Sequence, residues 1–256
     1  MILEPGNADY EVIIVNYGST EEETLRQLDI FRAKKYNIVD QPNQGLAAAR
    51  NTGIEKATGE FILLLDADNT VELDFVWKAV SVFNDDKTVA VVYSDAEYFG
   101  TRDGRWVVGE FNLQRLMIAN YIDACAMVRK SVFDELGGYD VKMKDIKSGW
   151  EDWDMWLSIA FAGKKFHYLP QIGFRYRVSP ESMIGGINSS YEVRNKLTAY
   201  LHKKYPAQLG HQHITKFALN RFKPHPFKFI MKLGMMAWFK NYYKKLVTKN
   251  KIIDGI

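Results

Sequence analysis

The chain has 256 residues, 47% of them hydrophobic and 25% charged, which is enough apolar mass for one large folded unit and excludes a disordered chain. Its single cysteine, Cys125, excludes an internal disulfide framework and a cysteine-based zinc site. The net charge of +3 hides an asymmetry: residues 201–256 carry 12 Lys and Arg against one acid, Asp254, a local +11 that leaves −8 for residues 1–200. In chain order, "MILEPGNADYEV" has neither a basic n-region nor an apolar h-region, and no uncharged run nears the roughly 18 residues of a membrane span. A cytoplasmic protein is expected. "YEVIIVN" reads as a buried strand, and "EEETLRQLDIFRAKK" as a helix capped by Ser19 or Thr20. A second strand, "YNIVDQ", leads into an Ala-rich helix opened by Pro42 to Gly45 and stopped by Gly59. The strand "EFILLL" then runs into the acidic triplet "DAD".

Strands alternating with helices at this spacing predict a Rossmann-like α/β fold with a mostly parallel sheet flanked by helices. Further on, "LDFVWKAVSVFN" reads as a helix and "TVAVVYSD" as a buried strand. A hairpin is expected to turn at Asp103-Gly104, and a strand with a short helix to end at Gly137-Gly138. "GWEDWDMWLSIAFAGKKF" predicts a helix ended by Gly163, its tryptophans serving as core or as a sugar platform. From residue 188 only helices are expected. The chain thus divides into an α/β domain, residues 1–187, and a basic helical extension, residues 188–256.

Asp66 and Asp68, one residue apart on an extended backbone, would point to the same side at the carboxyl edge of the sheet, where ligands of open α/β sheets bind. Paired carboxylates repel unless a cation joins them, and oxygen ligands suit Mg²⁺ or Mn²⁺. The competing reading is a solvated turn capping the next helix. Glu151 and Asp152 open a helix, where the dipole favours ionised acids and a carboxylate can act as a base; an ordinary acidic first turn is the alternative.

The blocks "YEVIIVNYGSTEEET", "NQGLAAARNTGIEKATGEFILLLDADN", "IDACAMVRKSVFDELGGYD" and "GWEDWDMWLSIAFAGKKF", in this order over about residues 10–185, resemble the inverting glycosyltransferases of family 2 with the GT-A fold. The resemblance implies transfer of a sugar from a nucleotide-diphosphate sugar to an acceptor hydroxyl with inversion, in cell-surface polysaccharide or glycoconjugate synthesis. It implies that Asp68 binds Mg²⁺ or Mn²⁺, with Asp66 at the metal or the ribose. Asp152 matches the base, with Glu151 as helper or second candidate. Arg50, Asn51, Gly45, Gly138, Tyr139 and Arg177 match donor-binding positions, with Gly137 and Arg175 beside them. The implied partners are the donor and a carbohydrate or lipid-linked acceptor, not nucleic acid. The basic C-terminal stretch, with its Phe, Trp and Met, suits peripheral attachment to the inner face of a cell membrane, or else is a solvated helix face.

Relative to the family pattern, the chain starts at what should be the second strand; the strand before it ordinarily lies mid-sheet, so its two neighbours are expected to have unpaired edges. "NYGS" also puts Asn16 and Tyr17 where acids are usual. Two other functions remain open: a noncatalytic GT-A-like binding or scaffold module, and, with less support, a haloacid-dehalogenase-like phosphatase, since "DADNT" fits its D-x-D-x-T loop.

Overall fold

The computed structural model describes residues 10–146, 149–179 and 191–210. Strands β1 (Ile13–Asn16) and β2 (Asn37–Asp40) pair in parallel, with helix α1 (Glu22–Ala33) as the crossover. The cap of α1 differs from expectation: Glu21 takes that position, and Ser19 belongs to the preceding turn, where its N–H donates to Asn16 Oδ1 at 3.1 Å. Helix α2 (Leu46–Lys56) follows, its buried face made of Ala47, Ala48, Ala49 and Ile54. These small residues let α2 lie close to β1; a Cβ on Gly53 would sit 3.4 Å from the Val15 side chain.

The strand leading to the acidic triplet is shorter than expected. β3 covers only Phe61–Leu63, and Leu65 is exposed. After a turn come β4 (Thr70–Val71), α3 (Leu73–Asp85), β5 (Val89–Gly100) and β6 (Gly104–Trp106). Then α4 (Leu113–Leu116), β7 (Met127–Arg129) and α5 (Lys130–Leu136) precede a 3-10 turn at Val141–Ile146. The base-candidate helix α6 (Glu151–Phe161), β8 (Lys165–Val178), α7 (Tyr191–Lys204) and α8 (Pro206–Leu209) complete the described chain.

The second sheet runs β3-β7-β5-β8-β4, with β6 folded back on β5. The hairpin forms at the expected place, with Tyr98 opposite Gly104 and Ala96 opposite Trp106. The α/β architecture is as read from the sequence, but the sheet is mixed: β1/β2 and β5/β8 are parallel and the other ladders antiparallel. The reversals come from the β5–β6 hairpin and from β7, which inserts antiparallel between β3 and β5. Among the described residues, β1 and β3 share no ladder, so each keeps one edge without a partner strand. A carboxylate links their starts instead: Glu11 Oε1 accepts from the Thr58 N–H (2.6 Å), the Thr58 hydroxyl (2.7 Å) and the Gly59 N–H (3.2 Å).

The main core gathers Val91, Leu116, Val128, Trp156 and Ile159, and includes Leu197, Leu201 and Leu209 from α7 and α8. Each such side chain contributes about 1.5–3 kcal/mol when fully buried. The described start of the C-terminal extension is therefore welded to the same core as α6. A polar brace reinforces it: Lys204 Nζ binds Asp140 and Asp154, both at 2.7 Å, while the Tyr200 and Tyr205 hydroxyls donate to Asp140 and Asp154 respectively. Asp154 is buried, and its two partners satisfy a charge that would otherwise be costly. Trp153 and Trp156 resolve as core; their ring N–H groups donate to the Leu116 and Ile122 carbonyls.

Candidate active site

Three elements converge at the ends of the strands. α2 supplies Arg50, the turn after β3 supplies Asp66 and Asp68, and the N-terminus of α6 supplies Glu151 and Asp152. Arg50 is the hub. Its Nη1 donates to Glu151 Oε1 at 2.5 Å and its Nη2 to Asp66 Oδ1 at 2.9 Å. Burial works against the Arg50 charge, but Tyr139, Asp66, Glu151 and Asp152 outweigh it, so the guanidinium is held more firmly protonated than usual. The two acids it binds differ in access: the Glu151 side chain is 6% exposed and that of Asp66 37%. Glu151 is sealed behind Arg50, whereas Asp66 keeps an open flank.

Asp152 is placed differently. Its Oδ2 accepts from Asn120 Nδ2 at 2.8 Å and its Oδ1 from the Trp153 N–H at 2.8 Å, and it has no ion-pair partner among the described residues. Burial pushes its carboxyl well above the usual range; the Glu151 charge adds to this and Arg50 opposes it. A carboxylate raised in this way is more basic than a surface one, which suits proton abstraction from a hydroxyl. Asp123 lies in the same field. Burial, then the Asp66 charge, push its carboxyl up to about 7, against the pull of the Cys125 N–H bound at 2.9 Å.

Asp68 is exposed, and no side-chain hydrogen bond engages it among the described residues. The triplet does not lie on an extended strand, as the same-side argument assumed, but on a turn closed by the Asn69 N–H to the Asp66 carbonyl at 3.0 Å. Arg177 braces that turn, its Nε reaching the Asp68 carbonyl at 3.2 Å and its backbone N–H donating to Asn69 Oδ1 at 2.9 Å. Arg175 instead pairs with Glu97 at 3.0 Å.

Other expected donor-side residues have structural tasks here. Asn51 brackets the Gly-Gly-Tyr segment, with Nδ2 donating to the Tyr139 carbonyl (2.8 Å) and Oδ1 accepting from the Tyr139 N–H (2.7 Å). That bracket demands Gly138, whose φ is 72° and where a Cβ would lie 2.6 Å from Asn51 Oδ1. Gly45 faces the Lys144 side chain, which a Cβ would approach to 3.2 Å. Tyr139 is buried against Arg50, and its hydroxyl has no hydrogen-bond partner among the described residues. Asn120 and Asp123 carry no signal of their own in the sequence: Asn120 lies outside the family-like blocks, and Asp123, although inside one, is an isolated acid in a largely apolar stretch.

With this geometry in view, residues 2–137 match the model for Glycosyl transferase family 2. The chain belongs to glycosyltransferase family 2. Among its relatives, a PGL/p-HBAD biosynthesis glycosyltransferase of Mycobacterium bovis (strain BCG / Pasteur 1173P2) is 30% identical over 151 residues, covering 57% of this chain and 56% of that one. Chondroitin synthase of Pasteurella multocida (strain Pm70) is 30% identical over 166 residues, covering 62% of this chain but 17% of the relative. The chain thus spans about half or less of the length of these curated relatives. Its fold is that of S. aureus TarS, whose residues 1–349 have been solved with UDP-GlcNAc: the TM-score is 0.53 at 18% identity, over 84% of this chain and 64% of that one. No helix among the described residues of this family-2 chain is long and apolar enough to cross a membrane.

Proposed function

We propose that the chain transfers a sugar from a nucleoside-diphosphate sugar to a hydroxyl of a carbohydrate or lipid-linked acceptor, with inversion, in the assembly of a cell-surface polysaccharide or glycoconjugate. The observation that carries this reading is the division of labour among the acids: Glu151 neutralised by Arg50, Asp152 buried without an ion-pair partner, and Asp68 open at the rim. Asp152 takes the proton of the attacking hydroxyl. Asn120 fixes the orientation of its carboxylate, and Arg50 opposes the upward push that burial and Glu151 exert on it.

No cluster of three or more His, Cys, Asp or Glu side chains fit to hold a metal occurs among the described residues. This suits an ion that takes one or two carboxylates and draws its remaining ligands from phosphate oxygens and water. Asp68, with Asp66 beside it, would hold Mg²⁺ or Mn²⁺, which when bound offsets charge on the departing diphosphate. Asp68→Ala is expected to abolish metal-dependent donor binding. Calorimetry with Mn²⁺ and UDP, GDP and dTDP sugars tests this, and undiminished binding by the variant would remove Asp68 from the metal site.

One observation favours a second reading, a binding or scaffold module: among the described residues, β1 and β3 lack a shared ladder beside the site. Failure of the unaltered chain to bind any of those donors would support it. The phosphatase reading gains nothing, because its nucleophile would be Asp66, which Arg50 holds. For the basic extension, residues 211–256 lie outside the described part of the chain. We propose from its composition that it rests on anionic lipid. Removal of residues 224–256 is expected to reduce flotation with phosphatidylserine-containing liposomes, and equal partition of both forms would discard the idea.

A further inference from the structure

β5 and β8 run side by side beyond the core as far as Gly100 and Val178, and β6 folds back against β5. At this end, three rings share one face. Tyr98 and Trp106 lie parallel, 5.9 Å apart at 4°, Tyr176 meets both edge-on at 6.1 and 6.0 Å, and the Arg102 guanidinium lies over the Tyr98 ring at 4.2 Å. All three are half-buried. Beneath them is only a small cluster of Ala96, Cys125 and Phe174, with Leu63 at its margin.

This platform adjoins the acidic site. Leu63 ends the strand that leads to Asp66, and Cys125 is bound through its N–H to Asp123 Oδ1. Asp123 in turn lies within electrostatic reach of Tyr98 on one side and of Asp66, Asp68 and Asp152 on the other. Its second oxygen has no partner among the described residues. Aromatic faces beside a carboxylate with one oxygen to spare match a sugar ring, which has an apolar C–H face to stack and hydroxyls that donate to carboxylate oxygen. A sugar ring uses both the aromatic surfaces and the carboxylate, whereas a diphosphate has no apolar face to lay on the rings.

We propose that Tyr98, Trp106 and Tyr176 form the platform on which an uncharged sugar ring of the acceptor stacks, with Asp123 accepting hydrogen bonds from its hydroxyls. The assignment to the acceptor rests on the transferase reading; the sugar site itself does not. The test is saturation-transfer NMR of the full chain with methyl β-D-glucopyranoside, methyl β-D-galactopyranoside and the methyl glycoside of N-acetylglucosamine. Calorimetry with Mn²⁺ and nucleotide sugars runs in parallel. At least one glycoside should bind, and Trp106→Leu and Asp123→Asn should each weaken it roughly 3- to 10-fold, with donor binding unchanged in Trp106→Leu. Asp123→Asn keeps the side-chain shape, so it remains informative if Trp106→Leu fails to fold. Absence of binding by all three glycosides, or binding that Asp123→Asn leaves untouched, overturns the platform while intact donor binding preserves the transferase reading. Glycoside binding without any donor binding does the reverse: it keeps the sugar site and removes its assignment to an acceptor.

Discussion

Arg50→Met is expected to destabilise the fold by about 3–5 kcal/mol, the usual cost of removing one partner from a buried ion pair. The loss comes mainly from Glu151, which would remain as a sealed carboxylate with no counter-charge; Asp66, being more exposed, can turn to water. For a chain of this size the change corresponds to a fall in Tm of roughly 6–20 °C, readable by thermal or urea denaturation. A second substitution gives the diagnostic: adding Glu151→Leu should recover most of the loss, because an apolar replacement of the whole pair is often close to neutral. A single variant within about 1 kcal/mol of the unaltered protein would mean that the Arg50–Glu151 contact contributes no more than a surface pair.

Asp152→Asn should leave the fold and donor affinity in place and reduce transfer by about 10²- to 10⁴-fold, the range attributed to a positioned general base. The asparagine keeps the volume at the start of α6, so packing around Trp153 and Trp156 is retained, and its one oxygen keeps one of the two hydrogen bonds now made by Asn120 and the Trp153 N–H. Nucleoside diphosphate release with a cell-envelope extract as acceptor measures turnover, and calorimetry measures donor binding. The companion variant Glu151→Gln separates the two candidates: it should act mainly on stability, since Glu151 is held by Arg50. Turnover that survives Asp152→Asn but not Glu151→Gln would reverse the assignment.

The elements were legible where local rules dominate. Gly137 and Gly163 stop α5 and α6 with φ of 82° and 73°, as glycine after a helical pattern suggests. The hairpin after Tyr98 was readable from its aromatic alternation and its Asp-Gly turn. The end of β3 was not: three leucines in a row look like continued strand, but neighbouring strand β7 pairs only as far as Leu63, and beyond it the chain turns through Asp66 to Asn69. Strand direction was equally hidden, because hydrophobic runs specify burial and not whether a neighbour runs parallel.

The candidate site divides in the same way. Asp66, Asp68, Glu151 and Asp152 stand out in the sequence because acids next to buried strands and at helix starts are conspicuous. That Arg50 joins two of them into one cluster was beyond reach, since Arg50 and Glu151 are 101 residues apart and meet only when α2 and α6 pack at the same sheet edge. Asn120, Asp123 and the Lys204 brace were invisible for a related reason: isolated polar residues acquire a role only from what surrounds them.

The sequence by itself determined the order of elements, the family and the identity of the acids, because helix stops, hydrophobic runs and acidic motifs are properties of short stretches. Which acid stays free, which is neutralised and which glycine shelters a side chain were decided only by the tertiary structure. Desolvation and charge pairing act through space, and a carboxylate's chemistry follows from its neighbours across the fold.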